Sequence, residues 1–307
     1  MIILTHIGET MPEYIDTFIK QLRIFNEDAK IIFLVNQINT NNIIFDKYSI
    51  ETYPIESLDV TLIDKFISKF GHGDINSSKK TIVYGSPDYW CVTATRLYYI
   101  YEYAKKFNIK EYFHFENDIM VYTNISDILC MIKKNNIYKN IAITRGTNNK
   151  IMTGFMYVGD NGVMGDMLFN IDEYLNNKTD LFTYGIDMIN EMSLLHIYQT
   201  KNPTKLVNLP IFPNNILTED FKYFNSVFDP ATYGQYLDGV PSNPGVSLIP
   251  DSYIGDELRK NKSLTIIFEI VDGLRVPFIV YGANKIKINT LHIHSKRLYL
   301  FTSLKII

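Results

Sequence analysis

The first half of the chain alternates short apolar segments with stretches of helical periodicity, and this alternation restricts the fold more than any other feature. Ile2 to Ile7 and Ile31 to Val35 are apolar runs of strand length. Between them Pro12 is suited to a first helical position, and Tyr14, Ile15, Phe18, Ile19 and Leu22 recur at helical spacing. Leu62, Ile63, Phe66 and Phe70 predict a second helix that stops at Gly71. Ser86-Pro87-Asp88 opens a third, with Val92, Leu97, Ile100 and Ala104 on its inner face. Tyr112–Phe115 and Ile119–Val121 are strand-like, as is Thr153–Val158. A βαβα rhythm of this kind predicts an α/β protein with a mostly parallel central sheet and helices on both faces.

The second half is less regular. Asp187 to Tyr198 is expected to be a helix, and Leu264–Glu269, Phe278–Val280 and Lys287–His294 are expected closing strands. Seven of the eleven prolines fall between Asn202 and Asp256, which predicts a long irregular excursion over the surface. The length of 307 residues fits one large domain, and no repeat or sharp boundary divides it.

Composition removes several function classes. With 46% hydrophobic and 21% charged residues the chain can bury a sizeable core. A net charge of -3 gives no basic field for nucleic acid. Cys91 and Cys130 are too few for a disulfide framework or a cysteine-rich zinc module. The start lacks a basic segment followed by a long apolar run, and no apolar run approaches the roughly 18 residues of a membrane helix, so a cytoplasmic protein is expected. The 22 Tyr and 19 Phe accompany an excess of Ile and Asn that suggests AT-rich coding, so aromatic and Asn motifs carry little weight.

The sparse charged groups carry more. Phe113-His114-Phe115-Glu116-Asn117-Asp118-Ile119 places two carboxylates at the carboxyl end of an apolar strand. Ligands of open α/β sheets bind there, and two such carboxylates can hold a hard divalent cation that neutralises a diphosphate. Asp118 is the better ligand and Glu116 the better ribose or water-shell contact. Asp187 and Glu191 share one face of the expected helix, and either can act as a base toward a hydroxyl. His292 and His294 project to one side of a strand, where imidazoles can bind a metal, and Lys296 and Arg297 follow to meet phosphate. Phe228 to Gly239, polar and aromatic, would suit stacking against a sugar.

The strand, acidic triplet and second strand resemble the DxD motif of GT-A-fold glycosyltransferases, with Glu in place of the first Asp and Asn at the centre. The resemblance implies a Rossmann-like sheet in one catalytic domain over 1–307. Residues 1–125 would form a nucleotide-binding half, and 126–307 an acceptor-side half with closing strands. It implies a nucleoside-diphosphate sugar donor (a UDP-sugar favoured), Mn²⁺ or Mg²⁺, and a hydroxyl acceptor. Thr5 and His6 would line the base and ribose, with Glu116 and Asn117 beside them. Arg96, on the helix before the acidic motif, would reach the diphosphate. Gly154 would line the sugar. Tyr184-Gly185-Ile186-Asp187 resembles the turn into the acceptor-side helix, which favours Asp187 as the base. Asp118 and a late His would hold the metal, His294 in preference to His292, and Lys296 would contact the diphosphate. The rival expectations are a protein of this fold that only binds a sugar nucleotide or serves as a structural component, and a sugar nucleotidyltransferase. The loop Thr5-His6-Ile7-Gly8-Glu9 lacks the glycine run and basic residue of the latter. A metallohydrolase built on His114, His292 and His294 is a weaker rival.

Overall fold

The computed structural model describes residues 1–70, 87–212, 220–240, 243–245, 254, 258 and 264–304. The elements run β1 (Ile2–His6), α1 (Ile15–Phe25), β2 (Ile31–Val35), α2 (Ile43–Lys47), β3 (Glu51–Pro54), α3 (Thr61–Phe70), α4 (Pro87–Lys106), β4 (Tyr112–Phe115) and β5 (Ile119–Val121). Next come α5 (Ile125–Asn135), β6 (Ile141–Thr147), β7 (Lys150–Val158), α6 (Asn161–Tyr174), α7 (Lys178–Leu181), α8 (Glu191–Lys201) and β8 (Leu206–Asn208). Then follow α9 (Phe221–Phe224), β9 (Ser226–Val227), α10 (Tyr233–Asp238), β10 (Gly239–Val240) and β11 (Asn243–Pro244). The last strands are β12 (Leu264–Val271), β13 (Leu274–Tyr281), β14 (Asn284–Ile288) and β15 (Thr290–His292).

The central sheet has seven strands in the order β3-β2-β1-β4-β7-β6-β8. Strands β3, β2, β1 and β4 are mutually parallel, β7 is antiparallel to β4 and β6, and β8 returns parallel to β6. The fold is therefore α/β with a mostly parallel sheet. Side-chain alternation divides its core. Ile2, Leu4, Phe33, Phe113 and Phe155 pack on α1 on one face. Ile3, Ile32, Leu34 and Met156 pack on α3, α4 and α6 on the other. Strands covered on both faces are apolar throughout, which is why Ile31 to Val35 is entirely buried.

Three expectations change. Pro12 is not the first residue of α1, which starts at Ile15. Pro12 instead forms the preceding turn, its carbonyl accepting from the Ile15 amide at 3.1 Å. The segment Lys287–His294 is not one strand. Its first part lies in a second sheet of order β12-β13-β14-β9, and after Asn289 the chain crosses to pair with β5. The proline-rich excursion is partly ordered by β8, α9, β9 and α10. Gly71, the expected stop of α3, and Ser86 lie outside the described residues. Among the described residues, no helix is long and apolar enough to cross a membrane.

Candidate active site

Parallel pairing of β1 with β4 brings their carboxyl ends to one rim, Thr5 and His6 beside the turn Glu116-Asn117-Asp118. The Asn117 amide donates to the Thr5 carbonyl at 3.0 Å and ties the two ends together. Antiparallel pairing of β15 with β5 sets His292 opposite Ile119, next to Asp118. Residues 89, 92, 93 and 96 recur at helical spacing on α4 and turn one face of it toward the same rim. Together these elements enclose a cavity of about 430 Å³.

At its floor Glu116, Asp118 and His292 each offer a ligand atom, all within 4.8 Å of one another. His292 Nε2 is 3.1 Å from Asp118 Oδ2 and 3.3 Å from Glu116 Oε2. Lys296 Nζ also contacts Asp118 Oδ2. The other Glu116 oxygen, Oε1, accepts from the Arg96 guanidinium and from the Thr153 hydroxyl. Burial opposes ionisation of both carboxylates, but the charges around them win. Arg96 and His292 hold the Glu116 carboxyl below its usual range, and His292 and Lys296 hold Asp118 well below. Burial alone would lower His292, yet Asp118 raises it.

A half-buried carboxylate, a buried one and an imidazole fit Mn²⁺ or Mg²⁺ in donor type, the imidazole favouring Mn²⁺. His292 Nδ1, the ring's other nitrogen, is buried and has no hydrogen-bond partner among the described residues. The expected ligand of the pair, His294, lies outside this cluster. It stacks on His292 with ring centroids 3.9 Å apart, and burial followed by the His292 charge pushes its pKa down to about 3. It still lines the cavity.

A third carboxylate faces the cavity from the start of α8. Glu191 is buried, 2.9 Å from the Thr93 hydroxyl and 3.7 Å from the Arg96 guanidinium. Desolvation pushes its pKa up to about 7 against the pull of Arg96. Asp187 behaves differently. The helix begins only at Glu191, capped by the Asn190 side chain on the Ser193 amide, so Asp187 does not share its face. Its side chain is 59% exposed and pairs with Lys150 at 3.0 Å, and it does not line the cavity.

Gly154 is also off the lining. A Cβ there would lie 2.9 Å from Ile119 Cδ1 and 3.0 Å from His292 Nδ1, so the glycine makes room for the imidazole. Thr5, His6, Arg96, Glu116, Asn117, Asp118, Glu191, His292, His294 and Lys296 do meet on the cavity wall. On that wall the Arg96 guanidinium is engaged with Glu116. His114 is a core residue bonded to the Ile3 carbonyl and joins no histidine cluster.

The segment 228–239 contributes Pro230, Ala231, Thr232 and Gln235 to the cavity wall. Phe228 and Tyr233 are buried rather than presented for stacking. The buried Asp229 accepts from the amides of Thr232, Tyr233, Gly234 and His292. At the other end of α10, Asp238 accepts from the Ser295 hydroxyl and the Arg297 guanidinium. Arg297 is thus turned from the cavity into structure. The two aspartates bracket residues 292–297, fixing the backbone that carries His292, His294 and Lys296. Sequence reasoning gave no site role to either aspartate, to Thr93, to Thr153 or to the cavity-lining Tyr14. Asp229-Pro230 and Asp238-Gly239 left the signal of turns.

No family model matches the sequence, and no curated protein does. Solved structures are similar to the chain at low identity. Mouse xyloside xylosyltransferase 1 is 9% identical with a TM-score of 0.47, over 68% of this chain and 84% of that one. The galactosyltransferase LgtC, in complex with donor and acceptor sugar analogues, is 10% identical with a TM-score of 0.41, over 73% and 81%. The glycosyltransferase GlyE of Streptococcus pneumoniae is 11% identical with a TM-score of 0.37, over 68% of this chain and 44% of that one.

Proposed function

We propose that the chain is a metal-dependent glycosyltransferase that moves a sugar from a nucleoside-diphosphate sugar to a hydroxyl acceptor. The observation that carries this reading is the convergence of Glu116, Asp118 and His292 within 4.8 Å at the carboxyl ends of the sheet strands. The cationic Arg96 and Lys296 flank them in the same cavity. Asp118 and His292 would hold Mn²⁺ or Mg²⁺, with Glu116 Oε2 on the third side. Bound there, the cation stabilises negative charge on a leaving diphosphate. Thr5, His6 and Asn117 form the rim that would take the base and ribose. Arg96 is a positioning residue, keeping Glu116 ionised and aimed at His292. Lys296 supplies a mobile positive charge for phosphate.

Glu191 is the proposed base, preferred to Asp187 because it is buried in the cavity wall with a pKa near the working range. The acceptor oxygen forms its bond to the anomeric carbon while the bond from that carbon to the diphosphate oxygen breaks. The acceptor proton passes to the Glu191 carboxylate, and the electron pair leaves with the diphosphate.

Calorimetric titration of UDP, GDP and CDP, each with and without Mn²⁺, tests the reading. One diphosphate should bind in a Mn²⁺-dependent manner, and Asp118→Ala should abolish that binding. Absence of nucleotide binding under every condition would overturn the proposal. Binding without hydrolysis or transfer of any donor would favour a protein that only binds.

A further inference from the structure

Lys296 is placed unusually for a residue that is only to meet a phosphate. Its backbone φ is +65°, in the left-handed region that non-glycine residues occupy at a cost. The conformation is imposed from both sides, by Asp229 on the His292 amide and by Asp238 on Ser295 and Arg297. The turn directs the ammonium onto Asp118 Oδ2, the same oxygen that faces His292 Nε2 at 3.1 Å. The backbone is fixed, but the side chain is 36% exposed, and its four-carbon stem lets the ammonium move while Cα stays in place. Tyr14 borders its path, with Nζ 5.7 Å from the ring centroid.

A cation seeking Asp118 must therefore displace a positive charge already on it. A diphosphate offers that ammonium a dianionic alternative within the same cavity. We infer that Lys296 is a built-in competitor of the divalent cation, screening Asp118 until a nucleoside diphosphate draws the ammonium away. Cation and nucleotide then bind with positive coupling, each raising the affinity of the other by the same factor. The second ligand rests on the function proposed above, whereas the competition involves only Lys296, Asp118 and a cation. The device keeps the acidic pair neutralised when no donor is bound, and it makes cation affinity a response to the nucleotide.

Titration with Mn²⁺ alone, and with Mn²⁺ in the presence of saturating UDP, tests the inference on wild type, Lys296→Met, Lys296→Gln and Lys296→Arg. Circular dichroism checks that each variant folds. With Mn²⁺ alone, both neutral variants should bind at least about tenfold more tightly than wild type, because a unit charge in contact with the ligand oxygen has been removed. Lys296→Arg keeps the charge and should bind Mn²⁺ as weakly as wild type. UDP should raise Mn²⁺ affinity of wild type by about tenfold or more, and of the neutral variants by a smaller factor. Neutral variants that bind Mn²⁺ alone no more tightly than wild type would overturn the inference. A wild type that binds no nucleotide, with or without Mn²⁺, would instead overturn the proposed function, and the Mn²⁺-only comparison would still decide the role of Lys296.

Discussion

Replacing Glu191 by Gln is predicted to change how stability depends on pH, by an amount that follows from its burial. The carboxyl is desolvated at the start of α8, and its pKa is pushed up from 4.5 to about 7 despite the Arg96 guanidinium 3.7 Å away. Between those values the folded protein binds a proton that the unfolded chain has released. Stability from this group is therefore complete below pH 4.5 and is lost as pH rises through 7. A difference of 2.5 pKa units, 7 less 4.5, corresponds to about 3 kcal/mol at 1.36 kcal/mol per unit. Gln resembles the protonated acid and does not titrate. Urea unfolding of wild type and Glu191→Gln at pH 5 and pH 8 isolates the effect, because other titrating groups are common to both proteins. Relative to the Gln variant, wild type should lose about 2 to 3 kcal/mol between the two pH values, the part of the full difference that falls inside that window. Parallel pH dependence of the two proteins would refute the assignment of a buried, proton-binding carboxyl to Glu191.

Activity separates the two candidate bases. Glu191→Gln should lower turnover by about 10²- to 10⁴-fold. Asp187→Asn, which removes only an exposed pair with Lys150, should leave turnover within about twofold and cost at most about 1 kcal/mol by thermal unfolding. Asp229→Ala strips one acceptor from four amides, including that of His292. It should cost about 3 kcal/mol and weaken Mn²⁺ binding in calorimetry. Two glycines should respond differently. A Cβ at Gly234 would lie 2.0 Å from the His292 carbonyl oxygen, a backbone atom that cannot swing aside, so Gly234→Ala should cost about 4 kcal/mol or fail to fold. At Gly154 the Cβ meets side-chain atoms at 2.9 and 3.0 Å, so Gly154→Ala should fold at a cost of about 2 kcal/mol and bind Mn²⁺ less tightly.

Local signals placed the central strands well. Strands Ile31–Val35, Tyr112–Phe115 and Ile119–Val121 occur with the bounds expected from their apolar runs, and the carboxylates fall at the strand end where ligands bind. Which of His292 and His294 lies beside the carboxylates was not legible, because it depends on pairing of β15 with β5 across some 170 residues. Spacing gives only the side of a strand to which a residue turns. The start of α8 was blurred for another reason. Its residues are buried on nearly all sides from Glu191 to Gln199, so no apolar stripe marks its beginning. The Asn190 cap did mark it, in a chain where Asn is too common to notice. The segment 228–239 looked like a surface loop because two aspartates and several turn residues are polar. Asp229 and Asp238 are buried because each is saturated by hydrogen bonds to the turn it holds.

The central claim is that Asp118, His292 and Glu116 form one cation site at which a nucleotide diphosphate is held. The most direct measurement is anomalous diffraction at the manganese edge from crystals soaked with Mn²⁺ and UDP. The account predicts a single strong peak within coordination distance of an Asp118 carboxylate oxygen and His292 Nε2, bridged to the diphosphate oxygens, with Lys296 moved from Asp118 to phosphate. A peak elsewhere, or UDP bound in the cavity with no cation on Asp118, would contradict it.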